Sequence, residues 1–484
     1  MKSAFFLLAI ANCAISAQMP FTFPTWDKDP DVDATGNRIF ASASELMQLW
    51  PGTVVVQGHS FSPSLIPAGT VFYHGRPDKN IPTDPEWLAF DFEHSYMFAN
   101  GRNAHVLTLV SKRPLRVINF DGLSAHLSTF SQSIIMYGEV RGGGDRKDPA
   151  GTQEIAGRLC AWAAENGIDG FIRMEGHFEL IECDFAASFD LVSALRVIPQ
   201  DERTKGRGGR DVPRPEGWVG SLPTDSSREV VVAGKWHDHV PGEMRVRPQY
   251  SKFVTFYDPA VTSLVDSRRG KSRDEQTLET LSRADAQMKL AELEAAVAAP
   301  WDEDSGIDWA SLLHVVVERY GQRLELLAKT LSNAGNPYET AFKARQQVLI
   351  MLAPHFTVLD VPSNATREWL TPVVLRCSAS MTSGLPTSGL TNQEVILRGA
   401  VEDVMAQICR RLARAFHLAY DVEEKRLDAP NVVDGMQSEI KDLMTWLDWT
   451  QVWVKCRPAC SIEEMCVVGR KDRRSPQCVR RPNA

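Results

Sequence analysis

No stretch of this 484-residue chain carries the ~20 consecutive apolar residues that a bilayer-spanning helix needs. The sequence therefore predicts no membrane anchor. Positive charge is not in surplus either. Lys and Arg total 53 against 61 Asp and Glu, a net charge of -8, which argues against nucleic acid as the main partner. Several catalytic signatures are missing. There is no G-x-S-x-G elbow for a serine nucleophile. H-E-x-x-H, G-x-x-x-x-G-K-[ST] and G-x-G-x-x-G are absent as well, so no zincin helix, phosphate loop or dinucleotide fingerprint is written here. No heptad run is long enough for a coiled coil, and no internal repeat is visible.

What is present is an ordinary globular composition, 43% hydrophobic and 24% charged. The length allows roughly two or three domains. Met1 to Ala17 reads as a secretory signal, with Lys2 at its start, a short apolar core at Phe5–Ala11, and Ser16-Ala17 before a cut near Gln18. The expected location is extracellular. Without Cys13 the cysteines are Cys160, Cys183, Cys377, Cys409, Cys456, Cys460, Cys466 and Cys478. An even set in a secreted chain implies disulfides, but their connectivity is not readable. Asn364-Ala365-Thr366 is a glycosylation sequon.

The pattern divides the chain. Residues 18–200 are mixed, with short β-rich runs at Thr70–Tyr73, His105–Val110, Leu115–Phe120, Gly170–Arg173 and Phe178–Cys183. Glu154–Asn166 reads as an amphipathic helix with Ile155, Leu159 and Trp162 on one face and Gly167 as its stop. Residues 201–270 read as a polar linker (Asp201–Gly217) and a β-like extension, with pieces at Glu229–Val232 and Phe253–Phe256. From 271 to 455 the period becomes helical, with Leu312, Val316, Tyr320, Leu324 and Leu327 in one stripe. Further helices are expected at Asp274–Ala298, Tyr338–Leu352, Thr391–His417 and Met436–Val454. The fold class is α+β, a domain of short strands followed by an α-helical domain. In the tail, 456–484, disulfides account for the cysteines better than zinc, because the spacing is not that of zinc-finger pairs.

Two clusters invite chemistry. His237-Asp238-His239 with Glu243 has the spacing of a metal site, but a polar turn before Pro241-Gly242 accounts for it better, and no metal is expected. Gly142-Gly-Gly144 reads as a plain loop. The second cluster is dispersed. Tyr73-His74-Gly75 ends a strand, Pro85–Phe90 leads into a helical face at Phe92–Ala99, and a late strand carries Glu179 among apolar neighbours.

In order and spacing, residues 65–190 resemble the ADP-ribosyltransferase fold in its His-Tyr-Glu branch. Those domains have a Tyr-His-Gly strand, an aromatic motif opening a short helix, and a late strand with the catalytic glutamate. The middle motif here carries Trp87 or Phe90 where a tyrosine would stand, with Tyr96 slightly later. The resemblance implies NAD as substrate and either a protein or water as acceptor. It implies that Glu179 stabilises the oxocarbenium-like sugar as nicotinamide leaves, and that His74 holds a ribose hydroxyl. The Gly75 backbone would pair with the carboxamide, and Trp87 or Tyr96 would stack on the ring. Glu182 is an alternative carboxylate on the other face of the strand. Glu175 falls outside the Glu-x-Glu spacing of arginine-modifying relatives, so water is favoured over arginine. The whole chain, including Trp453–Cys460, also resembles a group of uncharacterised secreted fungal proteins. A catalytically silent binding or effector protein on the same scaffold is the second reading. A carbohydrate hydrolase with two carboxylates about 5–10 Å apart is the third.

Overall fold

The computed structural model describes residues 26–101, 103–125, 130–141, 151–198, 217, 219, 235–302, 304–360, 362, 367–423, 425–469 and 472–481. The segment read as a secretory signal, the Gly142–Gly144 run, the stretch read as a linker up to Glu216, Glu229–Val232 and the sequon sequence at Asn364 lie outside the described residues.

The fold is α+β. Ten strands form one sheet: β1 (Ser60–Ile66), β2 (Val71–Arg76), β3 (Glu86–Ala89), β4 (His105–Ser111), β5 (Leu115–Phe120), β6 (Gly170–Met174), β7 (Phe178–Glu182), β8 (Phe189–Arg196), β9 (Arg247–Pro248) and β10 (Val254–Thr255). They run in the order β10-β1-β5-β6-β7-β3-β2-β4-β8, with β9 also on β1. Among the described residues only β5 and β6 pair in parallel, because α5 (Thr152–Asn166), which follows α1 (Gly36–Ser44), α2 (Leu49–Val54), α3 (Phe92–Tyr96) and α4 (Phe130–Tyr137), precedes β6 as a crossover. Gly167 ends α5 in the left-handed region at φ 65°, the position the sequence assigned to it. The segment expected as a linker and β-like extension contributes β9 and β10 at the sheet margin.

β1 was not foreseen, because Pro63 sits inside it and proline normally marks an edge. Pro63 is nonetheless flanked on both sides, by Ile118 of β5 and by the β9 segment, and its carbonyl accepts from the Gln249 amide at 2.8 Å.

Alternation along the strands separates two sheet faces. One face buries Phe171 and Ile181 against Leu159, Trp162 and Ala163 of α5 and against the helix Arg283–Ala298. The other buries Phe72, Leu88, Ile172 and Leu180 with Phe185 and Phe189. On the first face, further along the sheet, α3 (Phe92–Tyr96) packs on β2 and β3.

The remaining core is helical. Helices at Trp309–Leu331, Pro337–Leu352, Thr371–Ala379, Asn392–Leu418 and Ala429–Leu447 bury one continuous cluster. The stripe Val316, Tyr320, Leu324 and Leu327 is fully inside it, while Leu312 only packs against it. The helix expected from Asp274 starts later, at Arg283. Ser282 caps it, and Ser272 with Glu275 closes a separate short turn first. The helix expected at Met436–Val454 spans Ala429–Leu447. It stops where Asp448 turns left-handed at φ 49°, before a last turn at Thr450–Trp453. Helix α1 (Gly36–Ser44) joins this core from the other end of the chain, its Phe40 stacked on Trp449 at 5.8 Å.

The eight cysteines of the described residues pair as Cys160–Cys183, Cys377–Cys409, Cys456–Cys466 and Cys460–Cys478. The last two hold a small hairpin of β11 (Glu464–Val467) and β12 (Gln477–Arg480). No helix among the described residues is long and apolar enough to cross a membrane.

Candidate functional site

Strands β7, β3 and β2 lie side by side, so the segments bearing Glu179, Trp87 and His74 are neighbours. Register then decides which side chains meet. Tyr73 pairs with Ala89, and Ala89 with Glu179, so these three share the face under α3. His74 is one residue out of phase and faces the opposite side, against Phe185. His74 and Glu179 therefore do not converge.

β2 and β3 pair only at Tyr73 and Ala89 and then part. Trp87 fills the split. Its ring lies 5.6 Å from His74, 5.9 Å from His94 and 4.4 Å from Phe98, centroid to centroid. A Cβ on Gly75 would meet the Ser95 carbonyl at 2.1 Å and the Ala99 amide at 2.9 Å. The close approach that Gly75 permits is thus made by α3 and the residues just after it. Tyr96 is buried, stacks on Phe92 and donates to the Ile198 carbonyl at 2.8 Å.

Glu179 is 4% exposed. Arg173, its neighbour on β6, donates Nε to Oε1, and His94 Nε2 stands 3.5 Å from Oε2. Burial alone would raise its pKa, but the His94 imidazole and the Arg173 guanidinium more than offset that and hold it below the usual carboxylate value. Glu175 sits in the turn before β7, its amide bonded to the His177 carbonyl.

The opposite face holds a second carboxylate pair. His74 Nε2 is 2.7 Å from Glu86 Oε2, and Glu86 pairs across the ladder with Glu182. Hydrogen bonding to His74 keeps Glu86 low. Glu182 is fully buried and accepts from Ser188 Oγ at 2.7 Å and the Asp184 amide at 3.1 Å. Burial dominates there and pushes its carboxyl up to about 8.

A cluster that the sequence did not assemble adjoins Glu179. Asp91 Oδ2 faces His237 Nε2 at 3.0 Å and His177 Nδ1 at 3.5 Å, while Oδ1 accepts from Arg245 Nη2 at 3.0 Å. Arg245 is held in turn by both oxygens of Glu243. The His177 ring lies 5.3 Å from His94, which links this group to Glu179. Burial opposes ionisation of Asp91, yet the two imidazoles and Arg245 depress its pKa strongly. His237 thus enters a site with residues far from it in sequence. Its sequence neighbours do not follow, since His239 packs on Trp50 and Glu243 serves Arg245.

The sequence reading missed Asp91, His94, Arg173 and His177. They come from the start of α3, from β6 and from the β6–β7 turn, and no short spacing joins them. The one local signal was a run of isolated polar residues in apolar surroundings, His177 and Glu179 around Phe178.

The chain matches the family model described as the YPL277C N-terminal domain over residues 28–113 and 100–231. That range contains His74, Asp91, His177 and Glu179 but not His237 or Arg245. The chain is similar to the uncharacterised protein YOR389W of Saccharomyces cerevisiae, 21% identical, over 94% of this chain and 86% of that protein. It is also 24% identical to the uncharacterised protein YPL277C of the same organism, over 65% of this chain and 79% of that protein. The chain is thus similar to a group of uncharacterised fungal proteins. No solved structure matches it.

Proposed function

We propose that the protein is a secreted binding protein on an ADP-ribosyltransferase-like scaffold and does not cleave NAD. The observation that carries this reading is the state of Glu179. Its carboxylate is buried and occupied on both oxygens by Arg173 and His94, while His74 faces the other side of the sheet. A glutamate that must meet a ribose hydroxyl needs a free oxygen at an open cleft. Four disulfides support the secreted part of the reading.

NAD cleavage is the second reading, and a specific arrangement favours it. His74, Glu86 and Glu182 share one face, beside the split that Trp87 fills. In that version Glu182, not Glu179, is the carboxylate, and because it is fully buried and its pKa is raised to about 8, that face has to open and the carboxyl lose its proton before it acts. The deciding experiment incubates the folded, oxidised protein with NAD and follows nicotinamide release. No release is expected. Release that disappears in Glu182→Gln would establish the second reading, and release lost only in Glu179→Gln would restore the original assignment.

A further inference from the structure

We propose that Asp91, His177 and His237 bind a divalent transition-metal cation, with zinc the best match. Their ligand atoms all lie within 4.8 Å of one another. A tetrahedral ion with bonds of about 2.0–2.1 Å holds its ligand atoms about 3.3 Å apart. The separations from Asp91 Oδ2, 3.0 Å to His237 Nε2 and 3.5 Å to His177 Nδ1, bracket that spacing. Two imidazoles and one carboxylate suit a borderline cation such as Zn²⁺ better than Mg²⁺ or Ca²⁺, which take oxygen ligands.

The surroundings fit as well. Arg245 holds Oδ1 of Asp91 and leaves Oδ2 directed at the two histidines, and Glu243 fixes Arg245 in turn. Such outer partners orient metal ligands. Both histidines are fully buried, and Asp91 is 8% exposed.

Charge points the same way. Among the groups in contact, Asp91, Glu179 and Glu243 are three carboxylates, and Arg173 and Arg245 are two guanidinium groups. Three minus two leaves one buried negative charge, which either one protonated imidazole of His94, His177 and His237 or a bound cation can balance. With the imidazoles neutral, as metal ligands must be, a bound cation supplies the balance. Three protein ligands leave the fourth tetrahedral position to water or to His94, whose ring adjoins His177. The other metal-like group, Cys456, Cys460 and Cys466, offers no thiolate because its members are in disulfides. The proposal stands whether or not NAD is cleaved.

The test uses the full, oxidised chain, stripped with a chelator and titrated with Zn²⁺ against a chromophoric competitor. One equivalent is expected, with affinity falling at least ~100-fold in His177→Gln and in His237→Gln. Near-ultraviolet circular dichroism of both variants checks that they fold. Co²⁺ added to the wild type should give the visible bands of a tetrahedral nitrogen- and oxygen-ligated ion, without thiolate charge transfer. This readout needs no variant. A folded wild type that binds neither ion would overturn the proposal. So would folded variants that bind Zn²⁺ as tightly as the wild type.

Discussion

Arg173 and Glu179 stand directly opposite each other on β6 and β7, and both are buried, at 6% and 4% exposure. Removing one partner leaves the other charge in a dry sheet face. We expect Glu179→Gln and Arg173→Met each to cost about 3–5 kcal/mol. The double variant should cost less than the sum of the two. Urea denaturation of the three variants measures this, and strictly additive losses would show that the pair is uncoupled.

Glu182 makes stability fall as pH rises. Its folded value, about 8, lies above the ordinary glutamate value of 4.5, so the folded state holds the proton more tightly. The stabilisation is complete below 4.5 and is lost as pH rises toward about 8, at up to about 1.4 kcal/mol per pH unit. Glu182→Gln cannot ionise. Its melting temperature should gain on the wild type as pH rises from 5 to 9, and parallel curves would contradict the assignment.

Cys160 and Cys183 tie α5 to the end of β7 across 23 residues. Replacing both by alanine should cost about 3 kcal/mol, chiefly by freeing the unfolded chain. Chemical denaturation gives the number. A loss below about 1 kcal/mol would mean that the helix–sheet contacts hold this corner without the bridge.

Gly75→Ala should displace α3, because the new methyl would overlap the Ser95 carbonyl. Backbone atoms cannot swing aside as a side chain can. A loss of about 2 kcal/mol or more is expected. Proteolysis near residues 92–99 should speed up in step, and unchanged protection would place α3 elsewhere.

Much of the fold was legible. β4, β5, β6, β7 and α5 follow the period of their apolar residues closely. The elements that were not legible had physical reasons to hide. Pro63 disguised β1. Helix α1 takes its apolar partners from the far end of the chain, so nothing near it marked it as core. The site was less legible than the fold. Glu179 and His74 are strand residues as expected, but one residue of register put them on opposite faces. His237 was noticed for its neighbours, yet its partners in space are Asp91 and His177. Spacing along a chain reports local geometry, and this cluster is assembled only by tertiary contacts.

The Phe40–Trp449 stack also sets a timetable for synthesis. At about 5–20 residues per second, a ribosome reaches Trp449 about 20–80 s after Phe40. Trp50, whose indole donates to the Val454 carbonyl, waits equally long. For most of that interval the nascent chain carries an apolar helix whose main cover, the helix Asn392–Leu418, has not yet been made. The N-terminal strands can assemble early, but the molecule closes only when its last helices arrive. Fragments cut after the sheet would keep that uncovered surface permanently.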